Sequence, residues 1–142
     1  MGERFTVPRL TKKLGKSTKK VSTAMLDKVF ELYIRYRDNW TCITCGAYYP
    51  GDTKLMHAGH YVGRGNYSTR WDEENVHAQC RSCNAREHWK ADKNPYAVVL
   101  QQRYGVDILQ RLEDKKHHAI KPDKQALYEK YKILLDKMQK VV

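Results

Sequence analysis

The sequence predicts a small α+β protein in which a metal-bearing centre is flanked by helices. Two Cys-x-x-Cys pairs, Cys42 with Cys45 and Cys80 with Cys83, enclose the middle of the chain. Apolar residues recur at helical spacing on both sides of that segment, and a candidate strand lies inside it. The 142 residues correspond to one domain, since compact domains usually contain about 100 to 150 residues.

The chain begins with a basic segment, residues 1–21, in which no periodic apolar face can be drawn. We expect an arm that follows phosphates along nucleic acid, through Lys12, Lys13, Lys19 and Lys20. The alternative is a solvated tail that only aids solubility. The formal net charge of +11 favours a polyanionic partner, of which nucleic acid is the first candidate, over a generally basic protein.

Residues 22–37 have the pattern of an amphipathic helix. Ser22 or Thr23 can cap it, and apolar residues recur at intervals of three and four until about Arg37. Turn residues follow the first cysteine pair, residues 54–61 are a candidate strand, and residues 63–66 predict a loop. A helix is expected from Cys80 onward.

The C-terminal part of the chain predicts three further helices. The first begins near Pro95 and ends at Gly105, the second covers residues 106–112, and the last opens at Pro122. We therefore divide the chain into a basic arm (1–21), a metal-bearing domain (22–105) and a C-terminal helical extension (106–142).

The four cysteines predict a structural zinc site. Each Cys-x-x-Cys turn presents two sulfurs to one point, and four thiolates complete the tetrahedron that Zn²⁺ prefers. A redox-active pair usually occurs singly near a βαβ pattern, which is absent here. The sequence has neither an apolar run of about 18 residues nor a secretory signal, so we expect a cytoplasmic protein with reduced thiols.

Candidate residues for chemistry lie between and beside the cysteine pairs. His60, at the end of the candidate strand, can accept a proton from water near neutral pH. The amide oxygen of Asn84 is a suitable ligand for a hard ion such as Mg²⁺ or Mn²⁺. Together they could activate water against a phosphodiester. The simpler alternatives are a structural histidine and an asparagine that caps the following helix.

The arrangement resembles the zinc-stapled HNH, or ββα-metal, endonucleases. The segments that match are Cys-x-x-Cys, Gly59-His60, Asn75 and Cys83-Asn84. Closer still is the resemblance to the phage NinG family, also called Rap, carried by Ala58–Tyr61, Arg70–Cys80, Cys83-Asn84 and Asn94–Tyr96. It covers the chain from about Cys42 to Gly105 and, more weakly, to the end.

The resemblance implies a small zinc-stapled ββα-metal (HNH-like) centre in a structure-specific DNA endonuclease. Its expected substrates are branched recombination intermediates, including Holliday junctions and D-loop-like joints, in the host cytoplasm. His60 matches the general base, Asn75 the residue that orients the base or its loop, and Asn84 the metal ligand on the helix. Phage or host recombination proteins are possible partners, and symmetric cutting suggests a homodimer in which residues 123–140 form the contact.

One residue departs from the HNH pattern. Gly59 stands where many HNH sites have an aspartate ligand. We expect Asn84, water and phosphate to complete the shell of the catalytic ion. His88, four residues further along the same helix face, is the candidate for a second ligand. The remaining candidates for that position are His57, His77 and Asp72.

Four arginines near the proposed centre are candidate DNA contacts, because guanidinium groups match phosphate oxygens in pairs. They are Arg64, Arg70, Arg81 and Arg86. Each could instead be ordinary surface charge, or, for Arg70, the partner of Asp72 or Glu73. For the whole chain the alternatives are a non-catalytic, zinc-stabilised DNA-binding accessory factor and an RNA-binding zinc ribbon.

Overall fold

Six helices and two strands form the part of the chain that the structure describes. The structure is a computed structural model that describes residues 20–90, 93–118 and 120–141, except for the side chains of 88–90 and 141. The elements in chain order are α1 (Thr23–Arg37), β1 (Met56–His60), α2 (Tyr67–Arg70), β2 (Val76–Cys80), α3 (Arg81–Lys90), α4 (Asn94–Tyr104), α5 (Ile108–Lys116) and α6 (Lys124–Val141). The predicted mixed α+β class is confirmed.

The two strands form an antiparallel pair at the centre of the chain. Met56 lies opposite Cys80 and His60 lies opposite Val76, so the strands are in register along their whole length. The connection between them, residues 61–75, contains α2, and α3 begins directly after β2. The central unit is therefore strand, long connection, strand and helix.

Helix α1 begins where the sequence predicts it, because its cap is local. Ser22 precedes the helix in an extended conformation, and its Oγ accepts a hydrogen bond from the Met25 N–H at 3.1 Å. The buried face of α1 packs against α6, where the rings of Phe30 and Tyr131 meet edge to face at 4.8 Å. Helix α6 thus shares a hydrophobic core with α1.

Helices α4 and α5 form a second core beside the connection between the strands. Leu100 from α4 and Leu112 from α5 are fully buried in it, together with Val62. Gly105 ends α4, as predicted, with a φ of +102° that side-chain-bearing residues rarely adopt.

Two elements, β2 and α2, have no clear signal in the sequence. All five residues of β2 are buried, so the alternation that identifies a half-exposed strand is missing. Helix α2 has only four residues and is capped by the Asn66 side chain.

The domain boundaries at residues 21 and 105 stay predictions. None of the described helices has the length and hydrophobicity needed to cross a membrane.

Candidate functional site

The four cysteines converge on one point at an end of the hairpin. Their Sγ atoms all lie within 4.8 Å of one another, and those of Cys45 and Cys80 are 3.6 Å apart. Four sulfurs around one Zn²⁺ are separated by about 3.8 Å, given Zn–S bonds of about 2.3 Å. The cluster could therefore hold a metal ion such as zinc, as the sequence predicts.

Local turns bring the two pairs together. The first pair lies in a turn that is closed by a hydrogen bond from the Cys42 N–H to the Ala47 carbonyl (2.8 Å) and contains Gly46 at a φ of +80°. The Ile43 N–H donates to the Ala78 carbonyl at 2.9 Å, which attaches this turn to β2. The second pair spans the junction of β2 and α3, so the two pairs meet where both strands and the helix converge.

The sulfurs differ in their electrostatic surroundings. Burial raises the pKa of Cys83, and its neighbouring sulfurs add to the effect. Burial also acts on Cys42, but backbone N–H donors, first that of Cys45, outweigh it and lower its pKa. A bound cation would favour all four thiolates, because coordinated thiols lose their protons.

His60 is buried at the end of β1 and is held by a backbone carbonyl. It is 7% exposed, and its Nε2 lies 3.0 Å from the Arg70 carbonyl oxygen. A carbonyl only accepts, so Nε2 carries the proton and, in the neutral ring, Nδ1 carries the lone pair. Burial lowers the pKa of His60 to about 4, which keeps the ring neutral at physiological pH.

Asn75 fastens the connection between the strands. Its Oδ1 accepts from the Val62 N–H at 2.8 Å, and its Nδ2 donates to the carbonyls of Val62 and Thr69, both at 3.0 Å. The side chain is fully buried, and these three bonds use both N–H groups of Nδ2 and one of the two lone pairs of Oδ1. Because Thr69 precedes Arg70, this brace also fixes the carbonyl that holds His60. These bonds attach Asn75 to the connection between the strands, and its role in catalysis stays a prediction.

Asn84 lies in the first turn of α3 and faces His57. Its Nδ2 is 3.1 Å from His57 Nδ1, and the other ring nitrogen of His57 is 3.0 Å from the Lys54 carbonyl. Side chains alternate between the faces of a strand, so His57 and His60 lie on opposite faces of β1. The structure therefore brings Asn84 to His57 and does not bring it into direct contact with His60.

Gly59 allows Gln79 to approach the backbone of β1. A Cβ atom at Gly59 would lie 2.1 Å from Gln79 Oε1, so the Gln79 carboxamide occupies the space of a side chain at position 59. Gln79 Nε2 donates to Thr44 Oγ1 at 3.1 Å and to Glu87 Oε2 at 3.0 Å, while its Oε1 has no partner among the described residues. Burial raises the pKa of Glu87 to about 7. An aspartate at position 59 would therefore require the Gln79 side chain to move.

Two of the predicted DNA contacts share one carboxylate inside the protein. Arg64 and Arg70 both donate to Asp27 of α1, which also accepts from the indole N–H of Trp71 at 2.9 Å. Burial opposes ionisation of Asp27, but the hydrogen bonds from these three residues lower its pKa. The carboxylate partner suggested for Arg70, Asp72 or Glu73, is therefore wrong.

The other residues predicted to contact DNA differ in their exposure to solvent. Arg81 and Lys20 are exposed and Arg86 is half-buried, whereas Lys12, Lys13 and Lys19 lie outside the described residues. Contact with DNA stays a prediction for all of these residues, and for Arg64 and Arg70. Arg64 keeps 52% of its side chain exposed, against 14% for Arg70.

The alternative metal ligands occupy other environments. His77 is fully buried between the hydroxyl groups of Tyr96 (3.1 Å) and Tyr104 (2.7 Å), and Asp72 pairs with Lys115 at 2.6 Å. The side chain of His88 lies outside the described part of the chain. Within that part, the four cysteines form the only group of three or more His, Cys, Asp or Glu residues close enough to share an ion.

Comparison with known proteins identifies relatives of this chain. It is 36% identical to protein ninG of Salmonella phage P22 over 89 residues, which is 61% of this chain and 41% of that protein. It is 35% identical to protein ninG of Escherichia phage 933W and of Enterobacteria phage VT2-Sa over 83 residues, which is 57% of this chain and 39% of each relative. The matched segment thus spans about two fifths of these relatives. No solved structure matches the chain.

A family model described as "Bacteriophage Lambda NinG protein" matches residues 6–141, nearly the whole chain. The chain therefore belongs to the NinG family.

Proposed function

We propose that this chain is a divalent-metal-dependent DNA endonuclease of the HNH, or ββα-metal, type. Its substrates would be branched recombination intermediates of phage DNA, such as Holliday junctions and D-loop-like joints. The observation that supports this most directly is the setting of His60. A neutral imidazole is fixed through Nε2 by a backbone carbonyl, which leaves its other nitrogen as the proton acceptor.

In the proposed reaction, His60 Nδ1 removes a proton from a water molecule. The water oxygen forms a bond to phosphorus while the bond from phosphorus to the leaving oxygen breaks. The leaving oxygen then takes a proton from solvent and His60 releases its proton to solvent, so one water is consumed for each cut. The Arg70 carbonyl stabilises the imidazolium that forms, since it accepts the Nε2 proton throughout.

Asn84 would hold the divalent ion of this reaction. Its Nδ2 is committed to His57, and its Oδ1 makes no hydrogen bond with any described residue. A carboxamide oxygen is a suitable ligand for Mg²⁺ or Mn²⁺, which otherwise retain water and bind substrate phosphate. When bound, such an ion supplies positive charge for the leaving oxygen. Gly59 supplies no ligand, and any contribution of His88 stays a prediction.

His60 and Asn84 lie on opposite faces of β1. They could therefore act on the same phosphate only if that phosphate were bound at the edge of the strand. β1 pairs with β2 on one side and has no strand on its other side within the described chain. Arg35 already occupies the Met56 carbonyl with a hydrogen bond at 2.8 Å, so a phosphodiester would have to bind along the rest of that edge, where it would be accessible from both faces. The proposed reaction therefore requires the bound DNA strand to lie along this edge of β1.

The four cysteines would hold a structural zinc ion in this enzyme. Four thiolates leave no open coordination position, so the ion would stabilise the hairpin and α3 without taking part in hydrolysis. Arg64, Arg81, Arg86 and the basic arm would bind the phosphates of the branched DNA. Arg70 would act mainly through Asp27, because its guanidinium group is largely covered.

A nicking assay on a synthetic four-way junction with Mn²⁺ tests the proposal. His60→Gln should reduce cleavage at least about 100-fold, the lower range for loss of a general base. Glutamine can still donate to the Arg70 carbonyl, so folding and junction binding in a gel-shift assay should be retained. His117→Ala is the matched control, because the His117 side chain is exposed and, among the described residues, bonds only to Glu113 in the preceding helix. Equal cleavage by His60→Gln and the wild type would exclude His60 as the base.

The second candidate is a zinc-stabilised DNA-binding accessory factor without catalysis. The separation of Asn84 from His60 and the glycine at position 59 favour it. Junction binding without cleavage by the wild-type protein, with Mg²⁺ and with Mn²⁺, would support this function and exclude the nuclease. Preference for RNA over junction DNA in competition would exclude both.

A homodimer would suit the paired cuts that resolve a junction. The apolar face of α6 is already packed against α1, so a contact through α6 would have to use its outer side. Ile133, 56% exposed, lies on that side. Sedimentation of the junction complex should give two chains per junction, and one chain per junction would exclude the dimer.

A further inference from the structure

We propose that His57 is a positioning residue that orients Asn84 for metal binding. This inference rests on the proposed function, because it assigns a role to the neighbour of the proposed ligand. His57 was one of several alternatives for the ligand itself. Its hydrogen bonds point to a different role.

The hydrogen bonds of His57 have a defined direction. The Lys54 carbonyl can only accept, so the His57 Nε2 at 3.0 Å donates to it. In the neutral ring Nδ1 then carries a lone pair, and it accepts the N–H of Asn84 Nδ2 at 3.1 Å. The chain of bonds therefore runs from Asn84 through His57 to the backbone of the turn before β1.

This chain determines which end of the Asn84 carboxamide is available. A carboxamide carries a donor and an acceptor, and rotation by half a turn exchanges them. Only the oxygen binds a cation, so an unrestrained Asn84 would present the wrong atom in part of its population. Because His57 accepts from Nδ2, it holds Oδ1 away from itself and available to an ion.

Among the described residues, the His57 ring forms hydrogen bonds only with Asn84 and the Lys54 carbonyl. It is half-buried on the α3 face of β1, directly opposite Gln79. Gln79 uses its amide on Thr44 and Glu87, so it does not compete for the ring. Residues that orient a metal ligand typically change metal affinity about 10- to 100-fold when they are lost.

Binding of Mn²⁺ to the zinc-loaded full-length protein tests this role. Paramagnetic broadening of the residue 84 backbone amide in NMR spectra, followed during titration, gives a dissociation constant even for weak binding. His57→Ala should weaken Mn²⁺ binding about 10- to 100-fold. His57→Gln, whose side-chain oxygen can accept the same bond, should recover part of the loss. His117→Ala should match the wild type, and zinc content should stay at one per chain in every variant.

Asn84→Ala separates failure of this inference from failure of the proposed function. Weaker Mn²⁺ binding by Asn84→Ala but unchanged binding by His57→Ala would overturn the role of His57 and leave Asn84 as the ligand. Unchanged binding by Asn84→Ala, or no broadening near residue 84 in the wild type, would overturn the proposed metal site and this inference with it. A wild-type His57 ring that carries its proton on Nδ1 rather than Nε2, seen in long-range nitrogen correlation spectra, would also overturn it.

Discussion

Gly59→Ala should destabilise the protein because Gln79 fills the space beside residue 59. The added Cβ would lie 2.1 Å from Gln79 Oε1 and 3.0 Å from Gln79 Cβ and Cδ. Real contacts of this kind are rarely shorter than 3.0 Å, so the oxygen must retreat by about 3.0 − 2.1 = 0.9 Å. That movement disturbs the bonds of the same carboxamide to Thr44 and Glu87.

The cost follows from overpacking and weakened hydrogen bonds. Extra methyl groups in packed interiors typically cost about 1 to 3 kcal/mol, and each buried hydrogen bond contributes about 1 kcal/mol. We therefore expect the free energy of unfolding to fall by about 1 to 3 kcal/mol. For a chain of this size that lowers the melting temperature by about 4 °C per kcal/mol. Urea or thermal unfolding of the zinc-saturated protein measures the change.

Gly63→Ala provides the matched control. A Cβ at Gly63 would meet nothing within 4 Å, and its φ is not in the left-handed region. Both substitutions restrict the unfolded chain in the same way, so the difference between them isolates the contact with Gln79. In the double variant Gly59→Ala/Gln79→Ala, the effects should not add, with a coupling energy of about 1 kcal/mol. Gly59→Ala as stable as Gly63→Ala, or additive effects, would refute the argument.

Two further predictions concern pH and metal. Burial lowers the pKa of His60 to about 4 and of His77 to about 3, against about 6.5 when unfolded. The unfolded chain therefore binds more protons below pH 6.5, and each histidine should cost about 2 kcal/mol of stability between pH 7 and pH 5. His60→Gln should lose about 2 kcal/mol less over that range in urea titrations; an equal loss would contradict the burial argument. Extraction of zinc by a strong chelator should unfold residues 42–84 in hydrogen-exchange measurements, and retained protection there would count against a structural metal.

The parts of the fold that sequence predicted are those determined by neighbours along the chain. Ser22 caps α1 through a hydrogen bond to Met25, three residues away, and Gly105 ends α4 through its own backbone conformation. The first Cys-x-x-Cys pair is likewise held in a local turn, and the second spans the direct junction of β2 and α3. Local interactions can be read from residue order, which is why these predictions are confirmed with bounds close to those expected.

The interactions that the sequence could not provide join residues far apart along the chain. Asp27 accepts hydrogen bonds from Arg64, Arg70 and Trp71. Nothing in the sequence pattern of α1 distinguishes it from an exposed carboxylate. That one buried group changes the interpretation of two arginines predicted to contact DNA. Those contacts were predicted from the positive charge of the arginines and from their closeness in sequence to the proposed catalytic residues. Neither property indicates which charges are already paired inside the protein.

The segment from His57 to His60 shows why spacing alone is insufficient for the site itself. The two histidines differ by three positions, so in a strand they must face opposite ways. Only one of them can face α3, and the sequence does not state which. A slip of one residue in the pairing would exchange their roles. Met56 opposes a slip, because the shift would turn its fully buried side chain out of the core that it forms with Ala78 and Cys80.

Gly59 and Gln79 oppose the same slip from the other face of β1. Only a glycine admits the Gln79 side chain at this distance, so moving either neighbour of Gly59 into its place would bring a side chain against Gln79. The register that places Asn84 beside His57 is thus held by the packing of Met56 beside the cysteines and by this close contact. Consequently, Gly59→Asp should not create a metal ligand of the kind found in HNH sites, because the aspartate side chain and the Gln79 carboxamide would compete for the same space.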